Sequence, residues 1–144
     1  MTIRYVVAYD GSDAARRALD HAVGQARQSG ASIVLAHVLE WSPYSFLTAE
    51  ELAERHKRRN QEVERARTAV VDPAIKAVAG SGVGIEADIR YGHVAETLVT
   101  IAEETGAAQI VIGRTGHSTM VTRLFGSVAG TLAQIAPVPV TIVP

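Results

Sequence analysis

Ile110-Val111-Ile112-Gly113-Arg114-Thr115-Gly116 is an apolar run that stops at a glycine, with a second glycine three residues further on. A polar loop follows, and Gly126-Ser127 then stands where a new helical pattern begins. A short, β-branched run of this kind reads as a strand buried on both faces. Glycine lets main chain approach a ligand closely, and the open N–H groups of a helix N-terminus attract anions. The spacing Gly-x2-Gly-x9-Gly-Ser therefore reads as a phosphate cradle between a strand end and a helix start.

The rest of the chain repeats the strand-then-helix pattern. Ile3 to Tyr9 and Ser32 to Leu39 are two further apolar runs. Between them Asp10-Gly11-Ser12 leads into a helix with Ala15, Ala18, Leu19, Ala22 and Ala26 on one face, Ser12 as N-cap and Gly30 as its C-terminal stop. Trp41 to Thr48 reads as a loop, and a long helix is expected from Thr48, with Leu52, Val63, Ala66 and Val70 as its buried stripe. Asp72-Pro73 should kink or briefly break that helix, which resumes over Ala74 to Ala79. Ile85 to Tyr91 alternates apolar and polar residues, the pattern of a strand with one wet face at a sheet edge. Val94, Leu98, Ile101 and Ala102 mark a helix closed by Gly106, Ser127 to Ile135 another, and Pro137 to Val143 a last strand. Prolines at its start suit an edge, where a missing donor costs least.

Alternating strands and helices predict an α/β fold with one doubly wound parallel sheet and helices on both faces. Right-handed crossovers and two edge-like strands select the order 3-2-1-4-5 for the five strands. That order places a topological switch between strands one and four, where open α/β sheets bind ligands. Asp10 and Gly113, far apart in sequence, then face each other across one crevice.

Composition narrows the function. The 144 residues are expected to form one domain spanning 1–144. A formal charge of −1 argues against a nucleic-acid or membrane-surface binder. With no cysteine, thiolate metal sites and cysteine nucleophiles are excluded. No secretory leader and no span of ~20 apolar residues is evident, so a cytoplasmic location is expected. His21, His37, His56 and His93 have no mutual metal-ligand spacing; helix surface or core packing accounts for them. The run Arg55-His56-Lys57-Arg58-Arg59 reads as a solvated helix face, with a docking patch as the alternative.

Over nearly its whole length the chain resembles the universal stress protein family, in its nucleotide-binding branch. The likeness is carried by Val6-Val7-Ala8-Tyr9-Asp10-Gly11-Ser12, by His37-Val38, by Ile110 to Ser118, by Arg123-Leu124-Phe125-Gly126-Ser127-Val128-Ala129 and by Ala136-Pro137-Val138-Pro139-Val140. It implies the adenine nucleotide alpha hydrolase-like fold and bound ATP, with Mg²⁺ as a companion that Asp10 could help hold through phosphate oxygens. Asp10 resembles the family aspartate beside ribose and adenine, and Val38 the residue whose backbone meets the adenine edge. Gly113 and Gly116 would hold the ribose and first phosphates, and Gly126 with Ser127 the distal ones. Val128 and the loop residues Arg114 and His117 complete the candidate set. The resemblance also implies a homodimer through the exposed edge of the last strand, in keeping with an otherwise unprotected edge there.

Bland alternatives stay open for several of these residues. Gly113 and Gly126 could be turn punctuation, Asp10 a turn residue starting the first helix, and Arg114, Arg123, His117 and Ser118 solvated loop. A Walker A loop carries a lysine before its Ser/Thr, and none stands here. A regulatory ATP binder in the stress response, with slow hydrolysis at most, is therefore expected. A slow ATPase or other phosphate-transfer enzyme, or a dimeric binder of AMP or cyclic AMP, are the alternatives.

Overall fold

A computed structural model describes residues 2–40, 48–115 and 127–144. Five parallel strands lie in the order β3-β2-β1-β4-β5, the order predicted: β1 (Arg4–Ala8), β2 (Ser32–Glu40), β3 (Ile85–Gly92), β4 (Gln109–Gly113) and β5 (Val140–Val143). β1, β2 and β4 are central, and their near-continuous apolar runs are buried on both faces. Tyr5, Val7, Ile33, Leu35 and Val111 point to one side, into a core shared with α1 (Asp13–Ser29) and α3 (Asp72–Ala77). Val6, Ala8, Val34, Ala36, Ile110 and Ile112 point to the other, under α4 (Val94–Thr105) and α5 (Ser127–Ile135).

Local chemistry sets the helix ends. Ser12 caps α1 by accepting the Ala15 N–H at 3.1 Å, an interaction worth ~1 kcal/mol, and Gly30 closes the helix with φ 78°. Thr48 does the same for α2 (Ala49–Ala66), accepting the Glu51 N–H. The chain does not leave helical geometry before Asp72-Pro73, and α-helix resumes at Asp72 with Pro73 in its first turn. The chain passes instead through a π-helical turn, Arg67–Val71, in which the Asp72 N–H reaches back to the Arg67 carbonyl. Proline lacks an N–H and crowds the carbonyl four residues before it; one widened turn absorbs both and lets the helix run on into α3. The expected stripe on α2 is only partly buried. Ala66 is the buried residue of α2, whereas Leu52 is 53% exposed.

The two edges also behave as their sequences imply, with adjustments. β3 puts Ile85, Ala87 and Ile89 against the core, and its charged face is partly covered, not fully wet. Arg90 there makes a bidentate pair with Asp88 at 2.8 and 2.9 Å and a second ion pair to Glu104 of α4 at 2.7 Å. β5 is shorter than expected and begins after Pro139, whose carbonyl still accepts the Ile110 N–H at 3.0 Å. Among the described residues, no helix is long and apolar enough to cross a membrane.

Tyr91 ties α2 to the sheet edge. Its hydroxyl donates to the Glu62 carboxylate, and the Arg59 guanidinium lies 5.3 Å from its ring centroid. Burial first, and the Glu62 hydrogen bond second, push the Tyr91 phenol from 10.0 up to about 12. A raised phenol is held neutral in the folded state, so its contribution is complete below pH 10.0 and is lost as pH rises through about 12. An ultraviolet absorbance titration is expected to show a phenol ionising near pH 12 that is missing from Tyr91→Phe. A component near pH 12 that keeps its full amplitude in Tyr91→Phe would contradict the assignment.

Candidate functional site

A crevice opens at the C-terminal ends of β1, β2 and β4, on the side of the sheet that carries α4 and α5, and encloses about 360 Å³. That is within the ~300–1,000 Å³ typical of small-molecule sites. Its floor follows from a local accident of size. Ala8 and Ala36 are register partners across β1 and β2, and both face α4. Two alanines side by side leave space that larger residues would fill, and Val94 and Leu98 of α4 roof it without closing it. The inner end is thus apolar, with Val38 and Ile112 beside it, and the polar groups gather at the mouth.

The mouth is built by the turn after β1. Gly11 takes φ 82°, a conformation that suits glycine, and lets the chain reverse into α1. The Asp10 carboxylate accepts from both the Ser12 N–H, at 2.9 Å, and the Ser12 hydroxyl. This Asx turn orients Asp10 while Ser12 caps the helix. Opposite, Gly113 ends β4. A Cβ there would lie 2.8 Å from the Ala14 carbonyl carbon and 2.9 Å from its oxygen, so only glycine lets the strand end rest against the first turn of α1. The N-terminus of α5, at Ser127, forms the third side.

Five of the sequence-derived candidates, Asp10, Val38, Gly113, Ser127 and Val128, line this single crevice. Arg114 sits beside it with an exposed side chain, and its N–H is taken by the Val143 carbonyl at 2.8 Å in the β4–β5 ladder. Gly116, His117 and Gly126 lie outside the described residues, as do Trp41, Ser118 and Arg123. Thr115, Glu40 and the Ala8/Ala36 pair were not singled out from sequence. The alanines were legible in principle, since the parity of two buried strands puts them on one face. Tyr9 also borders the crevice; burial raises its phenol above the usual range, against a smaller opposing effect of Arg16. Next to it the buried His37 ring places Nδ1 2.6 Å from the Tyr9 carbonyl oxygen.

A model of the universal stress protein family matches residues 1–144. Universal stress protein YxiE of Bacillus subtilis is 32% identical over 145 residues, covering 97% of each chain. Among solved structures, universal stress protein UspA from Lactobacillus plantarum superposes with a TM-score of 0.85 at 25% identity, over 99% of this chain and 97% of that one. A universal stress protein solved in complex with cAMP gives a TM-score of 0.71 at 27% identity, over 99% and 97%.

The close approach at Gly113 has a measurable cost attached. Gly113→Ala is expected to destabilise the fold by ~1–3 kcal/mol, because the added methyl meets backbone that cannot rotate away. A lowered urea midpoint with unchanged slope checks this; a midpoint equal to wild type would mean that the packing is looser than the geometry implies.

Proposed function

The chain belongs to the universal stress protein family, and we propose that it is a regulatory protein of the stress response that binds an adenine nucleotide, ATP, in the crevice between β1 and β4. The observation that carries this reading is the polarity of the crevice. An apolar slot floored by Ala8 and Ala36 suits a flat base, and it opens onto Asp10, at the position a ribose would take. The N-terminus of α5 then offers main-chain N–H groups to phosphate. Val38 is placed to present its backbone to the base. Gly113, Gly116, Gly126 and Ser127 form the phosphate-side set, with Arg114, His117 and Val128 around it. Support comes also from the relative solved with cAMP, which is an adenine nucleotide. A Mg²⁺ accompanying the phosphates would find Asp10 as its nearest carboxylate of the set. The proposed location is the cytoplasm.

The same reading includes a homodimer through β5. Strand parity supports it: the Pro139 and Val143 carbonyls bond to β4, so the N–H and C=O groups of Val140 and Ile142 face away from the sheet. A row of this kind, without hydrogen-bond partners among the described residues, is a template for a second strand.

Denaturing freshly purified protein and identifying the small molecule released tests the nucleotide. ATP is expected; AMP or cyclic AMP would shift the assignment to the shorter nucleotide, and no release together with no calorimetric affinity for ATP would overturn it. Gly126→Val is expected to weaken ATP binding at least tenfold, ~1.4 kcal/mol, with the thermal unfolding temperature kept, because a side chain would occupy phosphate space. For the dimer, Val140→Pro removes one outward N–H and is expected to yield monomer in sedimentation equilibrium. An unchanged dimer would place the interface elsewhere.

A further inference from the structure

The β1–β2 ladder stops one pair before it needs to. Its last register pair is Ala8 with Ala36, closed by the Tyr9 N–H donating to the Ala36 carbonyl at 2.8 Å. Parallel pairing then calls for the Val38 N–H to donate to the Tyr9 carbonyl, since alternate β2 residues turn their amides toward β1, as Ser32 does to Ile3. The register does not extend to Val38. Instead the Tyr9 carbonyl is met by His37 Nδ1 at 2.6 Å, from a ring that is 8% exposed. A carbonyl oxygen only accepts, so Nδ1 carries the hydrogen. At the same point Gly11, with φ 82°, turns the chain toward α1, and among the described residues its N–H makes no hydrogen bond to the Val38 carbonyl.

We propose that His37 is a positioning residue for base recognition: by holding the Tyr9 carbonyl, it keeps the Val38 main-chain N–H and C=O out of the sheet and facing the crevice. One N–H and one C=O from a single residue match the Watson–Crick edge of adenine, which offers N1 as acceptor and the 6-amino group as donor. Guanine presents the reverse polarity at the corresponding atoms. His37 thereby sets which base the slot prefers without touching the base. The inference rests on the adenine-nucleotide reading for its consequence, but its physical core, a Val38 amide with no hydrogen-bond partner among the described residues, is a property of the protein alone. The competing view is that His37 merely fills core volume.

Removing the donor would leave a buried carbonyl without its partner, a state that folded proteins avoid. That carbonyl is then expected to accept from the Val38 amide, its partner in regular parallel pairing. His37→Phe keeps the ring volume without the donor; His37→Asn keeps a donor close to the Nδ1 position. Amide hydrogen exchange on nucleotide-free protein, followed by NMR, reads the result directly. In wild type and His37→Asn the Val38 amide is expected to exchange quickly beside a protected Ala36, whereas in His37→Phe it slows at least tenfold. In parallel, ATP is compared by calorimetry with the purine riboside triphosphate that lacks the 6-amino group. Wild type is expected to prefer ATP by roughly three- to tenfold, the worth of one hydrogen bond, and His37→Phe to lose that preference while His37→Asn retains it. A protected Val38 amide in wild type overturns the proposal whether or not the variants fold, and so does an exchange rate or preference unmoved in His37→Phe. Absence of ATP binding in wild type defeats the adenine-nucleotide reading instead, and the exchange comparison still decides what His37 does.

Discussion

The contact on which the site depends is the one between the end of β4 and the first turn of α1. Gly113 lies so close to Ala14 that an added Cβ would come within 2.8 Å of its backbone, and the strand end and the helix start are locked together. The turn that carries Asp10 lies immediately before that helix, so locking the helix also fixes the turn relative to β4. Nothing covalent or electrostatic is required for this. It follows from removing one Cβ where two backbone segments must touch, and a core at crystal-like density transmits the placement to the strands on either side.

From that constraint the crevice takes its shape. β1 and β4 are neighbours in the sheet, but the chain leaves β1 toward α1 on one face and reaches β4 from α4 on the other. Their ends therefore have no connection crossing them, which is the general reason open α/β sheets bind ligands at this point. The alanine pair on the α4 side supplies depth, and the Asx turn at Asp10 supplies an oriented carboxylate. Most of the site residues thus have a structural duty as well: Asp10 holds Ser12, Ser12 caps α1, and Gly113 admits Ala14. The structural reading of Asp10 and Gly113 holds, and the same geometry is compatible with the ligand role proposed for them.

How much of this could be read in the chain itself varies with the type of signal. The strand order was legible because burial leaves a plain mark: three nearly continuous apolar runs belong in the middle, and an alternating run and a proline-led run belong at the edges. Helix ends were legible where the capping chemistry is local, as at Ser12, Thr48, Gly30 and Gly106. The passage through Asp72-Pro73 was not, because whether a proline breaks a helix depends on what holds the flanking turns. Here Val71 and Ala74 are buried against the sheet, so a widened turn costs less than losing that burial. Leu52 failed for the converse reason: helical spacing identifies a face but not whether a neighbour covers it. At the crevice, glycine and aspartate drew attention, while the alanines that make the hollow did not, since a small residue in a core signals nothing until its neighbours are known.

His37 illustrates the same limit from another side. In sequence it is one more histidine in an apolar run, with no partner at metal spacing. Its meaning comes from an accounting of main-chain groups at the end of a strand. Every buried N–H and C=O must find a partner, in the ladder, in a side chain or in solvent. Where a strand outlasts its neighbour, as β2 outlasts β1 by four residues, Glu40 against the partner of Ala36, the surplus groups have to be assigned. A side-chain donor that takes one carbonyl decides where the next amide goes. On the proposed reading, that amide in a crevice open to solvent would be hydrated until a ligand of the right polarity displaced the water, and discrimination among bases would follow from the way the sheet ends.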